Sequence, residues 1–323
     1  MQGDLHAWLE AESGTDDEFV DRIWRLVLRR PPEADGCERA LTKLGEGSLS
    51  RARLLQELVE SDEFGRVAAL ADGLARAEAE RARPGEPGRP RELNAPAGSD
   101  ERAIEIPWSL ARYRGEPRVL DVGYAFAEPA YLAGLTGLGA TELVGVDLAR
   151  AEVPGLRSVV ADIRELPFPD ESFELAFCIS TLEHVGRDNE VYDVDAARDE
   201  SGDESALREL RRVLGKDGRL LVSVPTGERE DQGWQIVRTP EDWIALFERS
   251  GFLVYEDELY VRAAEGWRSA TLDEARAARY GAGGPGAGAV LLAELHPVSV
   301  GGRLRLAVRD VRHRDEVRRS TVA

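Results

Sequence analysis

The stretch Arg118-Val119-Leu120-Asp121-Val122-Gly123-Tyr124-Ala125-Phe126-Ala127-Glu128 decides the fold of this chain. It reads as a short buried strand that closes on an acid, turns on a glycine and opens a helix over about residues 128–138. Such a turn gathers backbone N–H groups and a helix N-terminus at the carboxyl end of a strand, where open α/β sheets bind ligands. A small polar ligand is expected there.

The neighbouring segments repeat the pattern. A second strand, Glu142-Leu143-Val144-Gly145-Val146, ends in Asp147, and a third, Ser158-Val159-Val160-Ala161, ends in Asp162. Three carboxylates are therefore expected along the carboxyl edge of one parallel sheet. A fourth strand, Phe173 to Ile179, runs into Ser180-Thr181-Leu182-Glu183-His184. Further on, Leu207, Leu210 and Leu214 mark a helix ended by Gly215, Asp217-Gly218 a turn, and Arg219 to Val224 a strand closed by Pro225. Thr239-Pro240 opens another helix, and Phe252–Tyr255 and Ala289–Leu295 are the last sheet strands. Upstream, residues 101–114 form a lead-in helix containing Pro107, with Glu105 and Trp108 as candidate pocket residues.

The ordered set resembles the class I S-adenosylmethionine-dependent methyltransferases over about residues 102–297, including the fourth-strand signature Leu166-Pro167-Phe168-Pro169-Asp170 through Phe177. The resemblance implies an α/β fold with a doubly wound, seven-stranded, mostly parallel Rossmann-like sheet. It implies S-adenosylmethionine as cofactor, with Asp147 accepting from the ribose hydroxyls. Asp162 would accept from the adenine amino group, flanked by Ile163 and Leu148. Gly123 would let the backbone approach the methionine portion, Asp121 would anchor its ammonium, and Tyr124, Ala125 and Ile179 would complete the cofactor set. His184 is the candidate general base, since it follows the strand where the methyl group should point and its titration range suits the task. Structural alternatives remain for each: strand-end acids also cap helices, and a His at this position can hydrogen-bond loop backbone.

Where the family has Gly-x-Gly-x-Gly, this chain has Gly123, Ala125 and Ala127, so two positions lack glycine's access to positive φ. The change also removes Gly-x-Gly-x-x-Gly, which weakens a dinucleotide-binding reading. It raises the alternative of a non-catalytic, methyltransferase-like scaffold in a surface-glycan pathway. Glu183, Tyr192, Trp234, Arg238 and Trp267 are candidates for acceptor contacts.

Composition bounds the rest. The chain has 323 residues, 42% of them hydrophobic, and a formal net charge of −19. That charge disfavours nucleic acid as a partner, because such binding draws on Lys and Arg neutralising phosphates. A glycan or small metabolite, methylated on an oxygen, is the expected acceptor. Lys43 and Lys216 are the only lysines, a bias that fits a GC-rich bacterial genome. No apolar run approaches a membrane span and the amino terminus is polar, so the expectation is a soluble, cytoplasmic protein. Cys37 and Cys178 fall in different units, which argues against a disulfide framework. The acidic run from Asp188 to Glu204, with Asp193, Asp195, Asp199 and Glu200, reads as solvated loop, and no metal site is expected.

Residues 1–83 read as a helical interaction domain with a possible protein partner, 84–100 as a linker, 101–300 as the Rossmann-like domain and 301–323 as an Arg-rich tail. Within the first, Thr15-Asp16-Asp17-Glu18 is a capping box before a helix over about 16–29. Gly36 marks a turn before a second helix over about 38–44, and Leu54, Leu55 and Leu58 are the buried face of a third. Trp24 to Arg30, Asp35-Gly36 and Ser61 to Phe64 resemble a helical domain of unknown function carried by bacterial surface-associated proteins and sugar-modifying enzymes. The match departs from that domain's usual Leu-Gly-Arg by placing Arg29 where the glycine stands.

Overall fold

The computed structural model describes residues 14–82, 93–190, 198–284 and 286–298. Four helices come first: α1 (Asp16–Val27), α2 (Ala34–Gly45), α3 (Arg51–Val59) and α4 (Asp62–Arg81). The capping box at the start of α1 forms in both directions, Thr15 accepting from the Glu18 N–H and Glu18 from the Thr15 N–H. Phe19, Val20, Ile23, Trp24 and Val27 of α1 close a separate small core with Leu54 and Leu58 of α3. Gly36 lies inside α2 and makes no turn. An added side chain there would meet nothing within 4 Å, and Asp35 supplies a negative charge to the helix's first turn. Arg29 sits at φ 58° just past the end of α1, in the left-handed conformation that the glycine of the related pattern would take at lower cost.

The sheet unit contains β1 (Ala95–Pro96), α5 (Arg102–Ala111), β2 (Arg118–Val122), α6 (Pro129–Thr136), β3 (Glu142–Asp147), β4 (Arg157–Val160) and β5 (Phe173–Ile179). It continues with α7 (Gly202–Val213), β6 (Leu214–Pro225), β7 (Glu230–Asp231), β8 (Ile236–Val237), α8 (Pro240–Arg249), β9 (Phe252–Ala263), β10 (Gly266–Ser269), α9 (Leu272–Ala277) and β11 (Ala289–Pro297). The main sheet runs β1-β10-β9-β11-β6-β5-β2-β3-β4. Strands β4, β3, β2, β5 and β6 are parallel neighbours; β11, β9, β10 and β1 extend one edge antiparallel.

The sheet therefore has nine strands, not seven. The seven expected strands are present in the middle and at one end, and β10 and β1 lengthen the other edge. Two features make the addition: β9 runs on past Tyr255 to Ala263 and folds back through Gly266, and the end of the expected linker becomes β1. An added Cβ at Gly266 would lie 2.0 Å from the Ala95 carbonyl oxygen, so only glycine lets β1 pair there. Pro96, which has no N–H to donate, is suited to an outermost strand.

Side chains alternate across β2. Leu120 and Val122 pack with α7 and α8, through Leu207, Leu210, Trp243 and Phe247; Val119 packs with α5 and α6, through Ile104, Trp108 and Tyr131. Both faces are thus covered, as a doubly wound sheet requires. Helix α7 ends at Val213 instead of Gly215, and the turn expected at Asp217-Gly218 is absorbed as a register shift in β6, between the pairs Phe173–Leu214 and Leu175–Arg219. Pro107 lies within α5. Helix α4 packs against it where an added Cβ at Gly73 would stand 2.5 Å from Pro107 Cγ.

Candidate cofactor and acceptor site

The carboxyl ends of β2, β3 and β5 and the loop after β4 surround an open cleft of about 170 Å³. Asp121, Gly123, Asp147, Leu148, Asp162, Ile163, Ile179 and His184 all line it. Tyr124 and Ala125 do not. Tyr124 is fully buried beneath the turn, its hydroxyl 3.1 Å from the Ala151 carbonyl. Its ring closes against Gly145, where an added Cβ would meet it at 2.7 Å. Ala125 acts through its backbone, its N–H donating to Asp147 Oδ2 at 2.9 Å.

The three strand-end acids occupy different environments. Asp121 is buried with 1% of its surface exposed. The Tyr131 hydroxyl donates to its Oδ2 at 2.5 Å, while Oδ1 has no hydrogen-bond partner. Burial pushes its pKa up to about 8, against the opposing pull of Tyr131. Asp147 accepts from the N–H groups of Ala125 and Ala149, at 2.9 and 3.1 Å. Burial nevertheless raises its pKa. At Asp162 burial works upward, but Arg164 closes on the carboxylate, with its Nε 3.0 Å from each oxygen, and holds the pKa below the usual range.

The turn after β2 uses the left-handed conformation once. Gly123 has φ 88°, and an added Cβ would stand 2.2 Å from Thr181 Oγ1. Among described non-glycine residues only Arg29, Glu171 and Ser180 have positive φ, and Ala127 has φ −72°. Ala125 and Ala127 therefore sit without backbone strain, and the expected conflict at these positions does not arise.

A smaller cavity of about 70 Å³ adjoins the cleft and shares Arg102, Ser180 and His184 with it. Glu101, Glu105 and Glu183 line it together with Trp234, Gln235 and Tyr280. His184 stands at the junction, its Nδ1 3.0 Å from the Trp234 carbonyl oxygen. A carbonyl only accepts, so the proton belongs on Nδ1 and Nε2 keeps its lone pair. The ring stacks on Trp234, centroids 5.2 Å apart. Burial lowers the His184 pKa to about 4. Ser180, at φ 44°, is strained at the same junction; its hydroxyl donates to Glu105 and accepts from Arg102, at 2.8 and 2.6 Å.

Sequence reasoning missed Arg102, Tyr131 and Ser180. The spacing Arg102-x-x-Glu105 on a predicted helix was the available signal for the first. Other expectations are redirected. Trp108 is core, its indole donating to Glu258 at 3.1 Å. Arg238 pairs with Asp203 and lies over the Trp243 ring, and Trp267 donates to the Ser99 carbonyl. Tyr192, Asp193, Asp195 and the Arg-rich tail lie outside the described residues.

Residues 120–222 match the family described as a methyltransferase domain, and residues 8–67 match a domain of unknown function. The α/β unit is thus similar to a methyltransferase domain. The chain is similar to the uncharacterized methyltransferase YcgJ of Bacillus subtilis, 33% identical over 121 residues, which are 35% of this chain and 42% of that one. An uncharacterized protein of Methanocaldococcus jannaschii is 33% identical over 110 residues, 32% of this chain and 41% of that protein. The chain thus spans about two fifths of the length of each. Among solved structures, that of YcgJ aligns at 17% identity with a TM-score of 0.42, covering 60% of this chain and 98% of its own. A Burkholderia thailandensis 1,6-didemethyltoxoflavin-N1-methyltransferase with bound S-adenosylhomocysteine aligns at 14% identity and TM-score 0.40, covering 84% and 93%. Within the α/β unit the matched segment runs from β2 into β6, so it contains Asp121, Asp147, Asp162 and His184. Arg102 and Glu105, on α5, precede it.

Proposed function

We propose that the protein is an S-adenosylmethionine-dependent methyltransferase acting on a small-molecule acceptor. The observation that carries the reading is Asp121 Oδ1, a buried acceptor without a partner at the wall of the cleft. An unsatisfied buried acceptor costs free energy unless a ligand donates to it. The ammonium of the cofactor's methionine end is such a donor. Asp147 spends one backbone bond on each oxygen, which leaves lone pairs for a ribose diol. Leu148, Ile163 and Ile179 supply apolar wall for the adenine. Asp162 is engaged by Arg164, so an adenine amino group would share that carboxylate with the guanidinium.

When bound, S-adenosylmethionine supplies a methyl carbon activated by its sulfonium. The chain's own part is to orient both ligands and manage a proton. His184 Nε2, held neutral by burial, is the acceptor for that proton, and Trp234 fixes the ring that carries it. The adjoining cavity, about 70 Å³, suits a small group better than a polymeric glycan. The scaffold alternative rests on Ala125 and Ala127 and on the helical module; the unstrained backbone of the two alanines weakens the first motive and leaves the second. In this reading residues 1–83 remain an interaction module, the linker from residue 84 stops short of β1, and the catalytic unit begins with that strand, with a basic tail beyond residue 300. No described helix is long and apolar enough to cross a membrane, which is compatible with work in the cytoplasm.

The test is formation of S-adenosylhomocysteine by the full chain, offered S-adenosylmethionine and a small-molecule library. Acceptor-dependent turnover that falls roughly 10²- to 10⁴-fold in His184→Ala supports the reading. Absence of turnover together with absence of cofactor binding contradicts it.

A further inference from the structure

The smaller cavity beside the cleft holds more carboxylates than cations. Glu105 is matched by Arg102, whose NH1 lies 2.8 Å from it, and Glu101 by Arg262 at 3.4 Å. Among the described residues no arginine lies within salt-bridge distance of Glu183, and the charge of Arg102 acts on it only from farther off. It is 2% exposed, and its Oε2 lacks any hydrogen-bond partner. The nearest base is His184, its Nε2 3.8 Å from Glu183 Oε1, and burial keeps that ring neutral. One buried carboxyl is therefore left facing the cavity with an unused oxygen. Trp234 and Tyr280 form the rest of the wall, rings edge to face with centroids 6.2 Å apart. Among the described residues no cluster of His, Cys, Asp and Glu has the makings of a metal site.

We infer that this cavity takes a small cationic amine carried on a ring or apolar stem, with Glu183 as its counter-charge and Trp234 and Tyr280 as the surface against which the stem packs. A donor bearing positive charge satisfies Glu183 Oε2, and a cation gains further from the aromatic rings that line the cavity. A neutral alcohol could supply one hydrogen bond but no charge. The inference rests on the methyltransferase reading, and it replaces the expected oxygen acceptor with a nitrogen base: the bound ammonium first gives one proton to the Glu183 carboxylate, and the neutral amine's lone pair then forms the N–C bond as the S–C bond of the sulfonium breaks, leaving the thioether. Depth reinforces it, since ion pairing strengthens as water is excluded.

The experiment is calorimetric titration of the full chain with matched pairs: benzylamine against benzyl alcohol, and phenethylamine against 2-phenylethanol. Each is run alone and with saturating S-adenosylhomocysteine, in the wild type and in Glu183→Gln. Gln keeps the shape and removes the charge, and circular dichroism checks its fold. A second variant, Trp234→Leu, removes the aromatic face and leaves the carboxylate. The expected result is amine binding at least 10-fold tighter than alcohol in the wild type. The preference should vanish in Glu183→Gln and persist, with weaker binding of both ligands, in Trp234→Leu. Equal binding of amine and alcohol, binding of neither, or a preference that survives Glu183→Gln overturns the inference. Failure of S-adenosylhomocysteine to bind while the amine preference stands would instead remove the methyltransferase reading and leave the amine site.

Discussion

Burial sets the chemistry of His184. A solvated imidazole is half protonated near neutrality, but this one is lowered to about 4 by desolvation, assisted by the positive charge of Arg102. The ring is thus uncharged through the whole neutral range. The acid limb of kcat/KM should lie below pH 5 instead of near 6.5; a limb at 6 to 7 assigned to His184 by its loss in His184→Gln would contradict this placement. Asp121 and Glu183 carry the opposite displacement, each raised to about 8 by burial. Both positions are therefore poised to ionise when a cationic group arrives.

The turn between β2 and α6 is built around Gly123. Gly123→Ala should cost about 2–4 kcal/mol, because it combines an unfavourable φ with a Cβ driven into Thr181. Urea denaturation measures it, and a loss below 0.5 kcal/mol would mean that the loop relaxes freely. At the end of α1 the reverse holds: Arg29→Gly should stabilise the helical unit by about 1 kcal/mol, since the left-handed conformation is strained for arginine. An unchanged or lowered Tm would show that the arginine's contacts outweigh its backbone. These elements also show what the sequence made legible. Strand-end acids and helix caps are local signals, and β2, β3 and β5 appear where the pattern put them. What was hidden depends on distant partners. No property of Ala95-Pro96 alone announces that they pair with Trp267 and Gly266, and the apolar character of Tyr124 does not say which side of its turn it faces. Arg238 read as a free cation until Asp203, 35 positions away, was placed beside it.

For the whole molecule, the acids and His184 pull stability in opposite directions with pH. The raised pKa values of Asp121 and Glu183 mean that the native state binds protons the unfolded chain has released. Their contribution is full below about pH 4 and is lost as pH rises through about 8. His184, depressed from 6.5 to about 4, costs stability as pH falls across that interval. Above pH 6.5 only the acids act, so the Tm of the ligand-free protein should fall between pH 6.5 and 8.5. Asp121→Asn/Glu183→Gln should flatten that slope in thermal denaturation, and an equal slope in this variant would show that other groups set it. The central claim concerns the same cleft. It is tested most directly by calorimetric titration of S-adenosylhomocysteine into the wild type and Asp147→Ala. Charge-assisted hydrogen bonds contribute about 1.5–3 kcal/mol, so binding by the wild type should weaken roughly 10- to 100-fold in the variant. Equal affinity in the two proteins would make Asp147 a cap for its own turn, and no binding by either would contradict the cofactor assignment itself.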